Sequence, residues 1–255
     1  MDKKETFGAE VAKQLPVKEI YNDVAHPALS TVGQGLQGVT KLALAPISAL
    51  VWGYDKISDY LDVAIPEYFA KKKIAKEKVI SPDPAIAVPV VEAMRYTSHK
   101  EELREMFTNL LGASMNSDSI DEHPAFVDII KQLSPDECKV IKYMQKHTMM
   151  PMLKIRIKVG ENGGEQDIAP YFSDICYIVN CEFPNKFPEY LDNLHRLGLV
   201  EIHYDRFITN KEVYLNLKKH PAFPHIIAEE NMKSETDSLY ELSEFGKKFC
   251  GVCLS

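Results

Sequence analysis

The sequence lacks every short motif that usually marks a catalytic site. Its 255 residues contain no HExxH zinc pair, no Gly-rich phosphate loop, no GxSxG nucleophile and no GxGxxG dinucleotide fingerprint. Of the eight histidines, the one nearest to a chemical arrangement is His203, two residues before Asp205 on a predicted strand end. Such a pair is common on protein surfaces by chance. We therefore predict that the protein is not an enzyme and uses no cofactor and no small-molecule substrate.

The sequence is also poor in cysteine, with five in the whole chain. An odd number without dense spacing excludes a disulfide framework and favours reduced thiols in the cytosol. Residues 1–10 are charged and lack the apolar core of a secretory signal. Together these features predict a cytoplasmic protein.

The cysteines come closest to a metal-binding pattern as two separate pairs, Cys250 with Cys253 and Cys176 with Cys181. A CxxC pair can chelate zinc, but a structural zinc site needs four ligands, and CxxxxC is a loose partner. The remaining candidate ligands are His220 and His225. We favour burial of Cys250 and Cys253 on an amphipathic terminal helix and predict no metal site.

Neither half of the chain has an excess of positive charge. The formal net charge is −7, from 30 basic and 37 acidic residues. Residues 139–255 hold 15 basic and 16 acidic side chains, which leaves 15 and 21 for residues 1–138. Domains that bind nucleic acid usually carry a basic patch or a basic net charge. DNA is therefore not the expected partner.

No apolar run is long enough to span a membrane, because a spanning helix needs about 20 apolar residues. Residues 28–54 nevertheless carry a single formal charge, on Lys41, and their strongly apolar part covers residues 42–52. Pro46 is expected to interrupt or begin a helix in this segment. Apolar side chains recur there at helical spacing. The candidate residues are Leu36, Val39, Leu42, Leu44, Ile47, Leu50, Val51 and Trp52.

Two interpretations of segment 28–54 remain open. In the first, it is a buried hairpin of helices packed on its neighbours. In the second, it is released under some condition and then inserts into a membrane or self-associates, as a helix with small residues and low charge can do.

Residues 1–133 are predicted to form a helical domain. Asp83 is placed to cap a helix that begins at Pro84, and Ser98 with Glu101 has the spacing of a capping box for the next helix. The apolar residues that follow recur at helical spacing and are interpreted as packed core.

Residues 134–255 are predicted to form a winged-helix-like α+β domain. Ser134 and Glu137 have capping-box spacing at the start of its first helix. A strand with alternating apolar residues follows, and its solvent-facing side carries the basic residues Lys154, Arg156 and Lys158.

The rest of this domain continues the order of a winged helix. Helices are predicted at 168–179 and 188–197, a strand after residue 198, an inserted helix near 210–219, a strand at 239–242 and a last helix after the capping Ser243. The inserted helix is a departure from a plain wing.

A winged-helix domain can bind DNA or contact another protein, and the sequence favours DNA binding less than protein contact. The predicted recognition helix at 188–197 carries Glu189 and Asp192, which leaves Asn193 and Arg196 to contact bases. A DNA-reading helix usually presents several basic or amide side chains. The basic strand face is the only other local array, so protein contact is the favoured use.

Four stretches of the sequence carry a family resemblance. They are LALAPISALVWGYDKI at 42–57, HPAFVDIIKQLSPDE at 123–137, LHRLGLVEI at 194–202 and LYELSEFGKKFC at 239–250. They resemble the Abi-alpha family, proteins associated with bacterial abortive infection, from about residue 30 to the end. The resemblance implies a role in phage resistance and brings no catalytic residues.

The sequence thus predicts a non-enzymatic phage-defence protein that acts through a protein partner or self-association. Membrane disturbance by segment 28–54 on activation is a possible extension of this role. The alternative is a winged-helix DNA-binding transcriptional regulator.

Overall fold

The chain is mainly helical, and its strands form one antiparallel sheet in the C-terminal part. The computed structural model describes residues 35–50, 54–97, 99–159, 164–223 and 233–254. These residues contain ten α-helices and one sheet of four strands. The prediction of a mainly helical chain is confirmed.

The described residues divide into two compact units. The N-terminal unit takes those up to residue 99 and residues 107–127, and the C-terminal unit takes residues 100–106 and those from 128 onward. The domain boundary predicted at 133/134 stays a prediction.

Four helices and one short turn build the first part of the chain. They are α1 (Leu36–Leu50), α2 (Asp55–Lys72), the 3₁₀ turn Lys76–Lys78, α3 (Pro84–Thr97) and α4 (Glu101–Ser114). Helix α1 packs against α2 and α3. The first six residues of α4 belong to the C-terminal unit and the rest to the N-terminal unit.

Local sequence explains why α2 ends at Lys72 and why α3 begins at Pro84. Two lysines lie in the last turn of α2, where positive charge suits the helix dipole, and Lys73 closes the helix in the left-handed conformation with φ of 56°. Asp83 caps α3 as predicted, since its Oδ1 accepts a hydrogen bond of 2.8 Å from the N–H of Ala85. Pro84 is the first residue of that helix.

Helix α1 continues through Pro46, so the prediction that this proline interrupts or begins a helix is wrong. Proline in a helix interior removes one backbone hydrogen bond and crowds the preceding turn. Here Pro46 is buried beside the fully buried Ala43 and Ile47. Burial of this apolar face offsets the loss of the hydrogen bond.

Six helices and four strands complete the chain. The helices are α5 (Ala125–Lys131), α6 (Pro135–Met144), α7 (Ile175–Ile178), α8 (Phe187–Arg196), α9 (Glu212–Lys219) and α10 (Glu244–Cys253). The strands are β1 (Met150–Val159), β2 (Gly164–Phe172), β3 (Val200–His203) and β4 (Lys233–Leu242). The helix predicted near 210–219 is observed as α9.

The capping box predicted at the start of α6 is present. The N–H of Glu137 donates to Ser134 Oγ at 3.3 Å, and the N–H of Ser134 donates to Glu137 Oε2 at 2.6 Å. Both donors would otherwise lack a partner inside the helix.

The strands lie in the order β2-β1-β4-β3, and every neighbouring pair is antiparallel. Strand β4 is central, pairing Tyr240 with Met150 of β1 and Glu241 with Glu201 of β3. The buried Leu153, Ile155 and Phe172 of the sheet pack with residues Tyr214 and Leu217 of α9 and with Phe223.

The helix predicted at 168–179 is wrong over most of its length. Residues 164–172 form β2, and only Ile175–Ile178 is helical. These residues form a strand because they pair with β1 through backbone hydrogen bonds. Such pairing with a distant segment does not show in the local sequence pattern. Pro170 fits there because β2 is an edge strand with an irregular register beside it.

The last helix is held against the turn before β3. Ser243 caps α10, accepting a hydrogen bond of 2.8 Å from the N–H of Gly246. The Leu199 carbonyl oxygen lies so near the Gly246 Cα that a Cβ would overlap it. The sequence LSEFG therefore needs both its serine and its glycine.

Candidate functional site

The apolar candidate segment forms the inner side of α1. Leu44 and Ile47 are 2% and 0% exposed, whereas Leu36, Val39 and Leu42 are partly exposed. Leu50 is the last residue of the helix, and Val51 and Trp52 lie outside the described residues.

The outer side of α1 is polar. Gln37, Lys41 and Ser48 are exposed, and Lys41 Nζ lies 3.0 Å from Asp62 Oδ2 on α2. The helix is therefore amphipathic, with its apolar side turned inward. None of the helices in the described ranges combines the length and apolar character needed to cross a bilayer.

The basic face of β1 is largely matched by acidic residues of β2. Lys154 Nζ lies 2.9 Å from Asp167 Oδ2, and Arg156 contacts both Asp167 Oδ1 at 3.1 Å and Glu165 Oε2 at 3.2 Å. Lys158 is exposed and stands opposite Glu165 in the register. The hydrogen bond from Lys154 and the charge of Arg156 hold the pKa of Asp167 below its usual range. This face is thus not an open array for phosphates.

The polar residues of α8 contact the C-terminal unit's own side chains. The Asn193 amide donates to Gln132 O at 3.1 Å and to Glu137 Oε1 at 2.6 Å. Arg196 donates to Gln132 Oε1 at 3.0 Å and to Asn193 Oδ1 at 2.6 Å. The two side chains expected to read bases are both engaged within the unit.

A buried carboxylate joins α6 to the loop before α8. Asp136 is 4% exposed and accepts hydrogen bonds from the N–H groups of Glu182 at 2.9 Å and Phe183 at 3.0 Å. The Tyr190 hydroxyl and the Lys139 ammonium add two more, at 3.0 and 3.1 Å. Burial opposes ionisation, but the four donors together outweigh it and lower the pKa of Asp136.

A cleft of about 210 Å³ opens in the C-terminal unit between β2, α7 and the start of α8. Its lining includes Tyr171, Tyr177 and Pro184. Ile178 and Phe183, which adjoin Tyr177 and Pro184 in the chain, are 46% and 51% exposed. The lining also includes Ser173 and Asn185, so the cleft offers both apolar surface and hydrogen-bonding groups.

A cluster that the sequence did not predict lies on the outer side of β3 and β4. His203 Nε2 is 3.1 Å from Glu241 Oε1 and 3.7 Å from Glu201 Oε2. Arg206 Nη1 lies 2.9 Å from Glu241 Oε1 and 3.1 Å from His203 Nε2. Within the described ranges this is the one group of three side chains able to hold a metal ion. Asp205, predicted beside His203, is exposed and outside this group.

All five cysteines are buried, and none of them forms a disulfide. Cys250 and Cys253 lie on the inner side of α10, as predicted for an amphipathic terminal helix. Burial raises the pKa of the Cys250 thiol to about 12. Burial also raises the pKa of the Cys253 thiol, so neither thiol is a thiolate at neutral pH.

The comparison with protein families is decisive for identity. The family model for abortive infection alpha matches residues 61–253, most of the chain. The chain belongs to this family. Three of the four stretches that carried the resemblance, at 123–137, 194–202 and 239–250, lie inside the matched range, and the stretch at 42–57 precedes it.

Other comparisons add little to this family assignment. No curated protein matches the chain. One solved structure, described as an uncharacterized protein from the hydrocarbon-degrading marine bacterium Alcanivorax borkumensis SK2, is similar at 12% identity. The alignment covers 51% of this chain and 93% of that one, with a TM-score of 0.33. This member of the abortive infection alpha family therefore has to be interpreted from its own residues.

Proposed function

We propose that the protein is a non-enzymatic phage-defence protein of the cytoplasm that acts through protein–protein contacts. The observation that carries the proposal is the abortive infection alpha match over residues 61–253. Abortive infection is a defence in which the infected cell stops supporting phage growth. A protein that contacts a target can do this without chemistry of its own.

The exposed side chains of Ile178 and Phe183 support the choice of protein contact. Both side chains are about half exposed and adjoin cleft residues Tyr177 and Pro184 in the chain. Large apolar side chains around a preformed cleft are typical of the anchor points of protein interfaces. We propose this surface, named here the α7 surface, as the contact region.

A plaque assay with matched variants tests this proposal. Bacteria that express the wild-type protein are expected to give fewer plaques than cells without it. Ile178→Asp and Phe183→Ser are expected to restore plaques, because they place polar groups in the contact region. Val63→Asp is the control, since Val63 is 54% exposed and lies on α2.

Two results contradict the proposal. If wild-type cells show unchanged plaques across a broad phage panel, the defence role is wrong. If both α7-surface variants protect as well as Val63→Asp, protein contact at this surface is wrong. Melting of the purified variants by circular dichroism separates loss of contact from loss of fold.

We further propose that the C-terminal unit is an elaborated winged helix. Support comes from the sheet order β1-β4-β3 and from helices α7 and α8, which precede β3 in the chain. Strand β2 and helix α9 are additions to that plan. The proposed use is protein contact, since the side chains expected to read DNA are engaged with neighbours or paired with acids.

Membrane disturbance is a second route by which segment 28–54 could act on activation. It requires α1 to leave its neighbours, because Ala43, Leu44 and Ile47 are buried. Dye leakage from anionic vesicles tests it. Leu44→Ala loosens α1 and is expected to raise leakage above that of wild type, whereas the buried Leu191→Ala in α8 is not. Equal leakage from the two variants would reject this route.

A further inference from the structure

The geometry of the Glu201, His203 and Glu241 cluster points to a binding site for a divalent transition metal, and we propose Zn²⁺ as the ion. These three residues are named here the β3–β4 cluster. The proposal is independent of the plaque-forming role and of the α7 surface.

The first argument is the placement of the ligand atoms. A tetrahedral zinc ion with bonds of about 2.0–2.2 Å holds its ligand atoms roughly 3.3–3.6 Å apart. In the β3–β4 cluster, His203 Nε2 lies 3.1 Å from Glu241 Oε1 and 3.7 Å from Glu201 Oε2. All three ligand atoms fall within 4.8 Å of one another. Glu201 is exposed, so its side chain has room to approach the other two ligand atoms.

The second argument is the rigidity of the support. Glu201 and Glu241 are directly opposite each other in the antiparallel register, and His203 follows Glu201 on the same side of β3. Sites built on paired strands hold ligands more accurately than sites on loops. One imidazole and two carboxylates leave the fourth position of a tetrahedral zinc ion to water.

The third argument is the charge of the site. Two carboxylates directly opposite each other repel unless a cation lies between them. Arg206 supplies a cation to Glu241, and its Nη1 contacts the two atoms, Glu241 Oε1 and His203 Nε2, that would bind the metal. Arg206 is 49% exposed and follows the end of β3, so its side chain can swing into solvent. We infer that zinc and the Arg206 guanidinium compete for one position.

Replacing Arg206 distinguishes a zinc site from a cluster whose only role is to form ion pairs within the fold. If the network only neutralises the glutamates, loss of Arg206 weakens the fold and creates no affinity for metal. If the site binds zinc, Arg206→Ala removes the competitor and tightens binding. An exposed ion pair of this kind lowers the zinc affinity by about fivefold at most. Arg206→Ala is therefore expected to raise the zinc affinity by no more than that factor.

Isothermal titration of the full-length, metal-free protein with ZnCl₂ tests the proposal. The wild type is expected to bind one zinc ion, and Arg206→Ala to bind it up to about fivefold more tightly. Glu201→Gln and His203→Gln are expected to lose at least about tenfold in affinity. Glu201 is exposed, so its substitution is expected to change zinc affinity without changing the stability of the fold. The control is His99→Gln, which changes an exposed histidine of the N-terminal unit.

Three results overturn the proposal. The first is a wild type that takes up no zinc. The second is equal affinity in Glu201→Gln, His203→Gln and His99→Gln, which would indicate adventitious binding to surface histidines. The third is an Arg206→Ala variant that binds zinc no more tightly than the wild type. A change in zinc affinity leaves plaque protection untested, so failure here is distinguishable from failure of the defence role.

Discussion

Replacing Asp136 by alanine is the sharpest test of how the C-terminal unit is held together. The substitution removes an acceptor for two backbone N–H groups, one tyrosine hydroxyl and one ammonium group. Those donors come from the loop at 182–183, from Tyr190 on α8 and from Lys139 on α6. Asp136 therefore fixes the loop and α8 to α6, and its loss leaves several donors without a partner.

The magnitude follows from the burial of the carboxylate. Asp136 is 4% exposed, so water cannot fully replace the lost contacts. Hydrogen bonds to a charged group are worth about 1.5–3 kcal/mol each but are not additive. Removing one partner of a buried charged pair costs about 3–5 kcal/mol. We expect Asp136→Ala to lower the free energy of unfolding by that amount, a large share of the 5–15 kcal/mol typical of a domain.

Urea unfolding followed by far-UV circular dichroism measures this loss. Asp128→Ala is the matched control, because the Asp128 side chain is 74% exposed and forms a surface ion pair with Lys131 at 3.2 Å. The control is expected to change stability by less than about 0.5 kcal/mol. An Asp136→Ala protein within about 1 kcal/mol of wild type would refute the role assigned to this carboxylate.

The pH dependence gives the same reasoning a second test. The pKa of Asp136 is lower in the folded chain than its ordinary value of about 3.9. Its contribution is therefore fully present above the ordinary value and is lost as pH falls through the lower, folded-state value. The stability gap between wild type and Asp136→Asn should be constant near neutral pH and shrink under acid conditions. A stability difference that grows as the pH falls would show that the pKa of Asp136 is raised rather than lowered by folding.

Three further outcomes follow from single contacts. Gly246→Ala should cost about 3 kcal/mol in urea unfolding, because the new Cβ overlaps the Leu199 carbonyl oxygen; a neutral effect would disprove that close approach. Tyr214→Phe should cost about 1–3 kcal/mol, because the buried Tyr214 hydroxyl donates to Ser238 O at 3.0 Å; an unchanged melting temperature would contradict this. Cys250, with a pKa raised to about 12, should resist Ellman's reagent in the native protein and react once urea unfolds it.

Features that depend on adjacent residues could be predicted from the sequence. The Ser134–Glu137 capping box and the Asp83 cap were predicted because both the donor and the acceptor lie within one turn of a helix. The strand β1 could be predicted because its apolar and basic residues alternate along the chain. Pro46 was misjudged because burial of α1 against its neighbours is a tertiary effect that outweighs a local cost.

Features that depend on strand pairing could not be predicted. The acidic partners of Lys154 and Arg156 come from β2, which the pattern of residues 168–179 presented as a helix. The β3–β4 cluster joins residues 40 positions apart, and no sequence spacing reveals that Glu201 faces Glu241. The available signal was the alternation of Glu201 and His203, which places both on one side of a strand.

Strand β4 lies in the middle of the sheet although it comes near the end of the chain. Its pairing of Tyr240 with Met150 spans 90 positions, so β1 has no inner neighbour until residues 233–242 have been synthesised. Such distant pairing slows folding and exposes unpaired edges in the meantime. A truncated product that ends before residue 233 keeps the hairpin of β1 and β2 but loses the strand that links it to β3. A chain without β4 is therefore expected to be cleaved by proteases faster than a chain that contains it, because β1 and β3 then lack a shared neighbour.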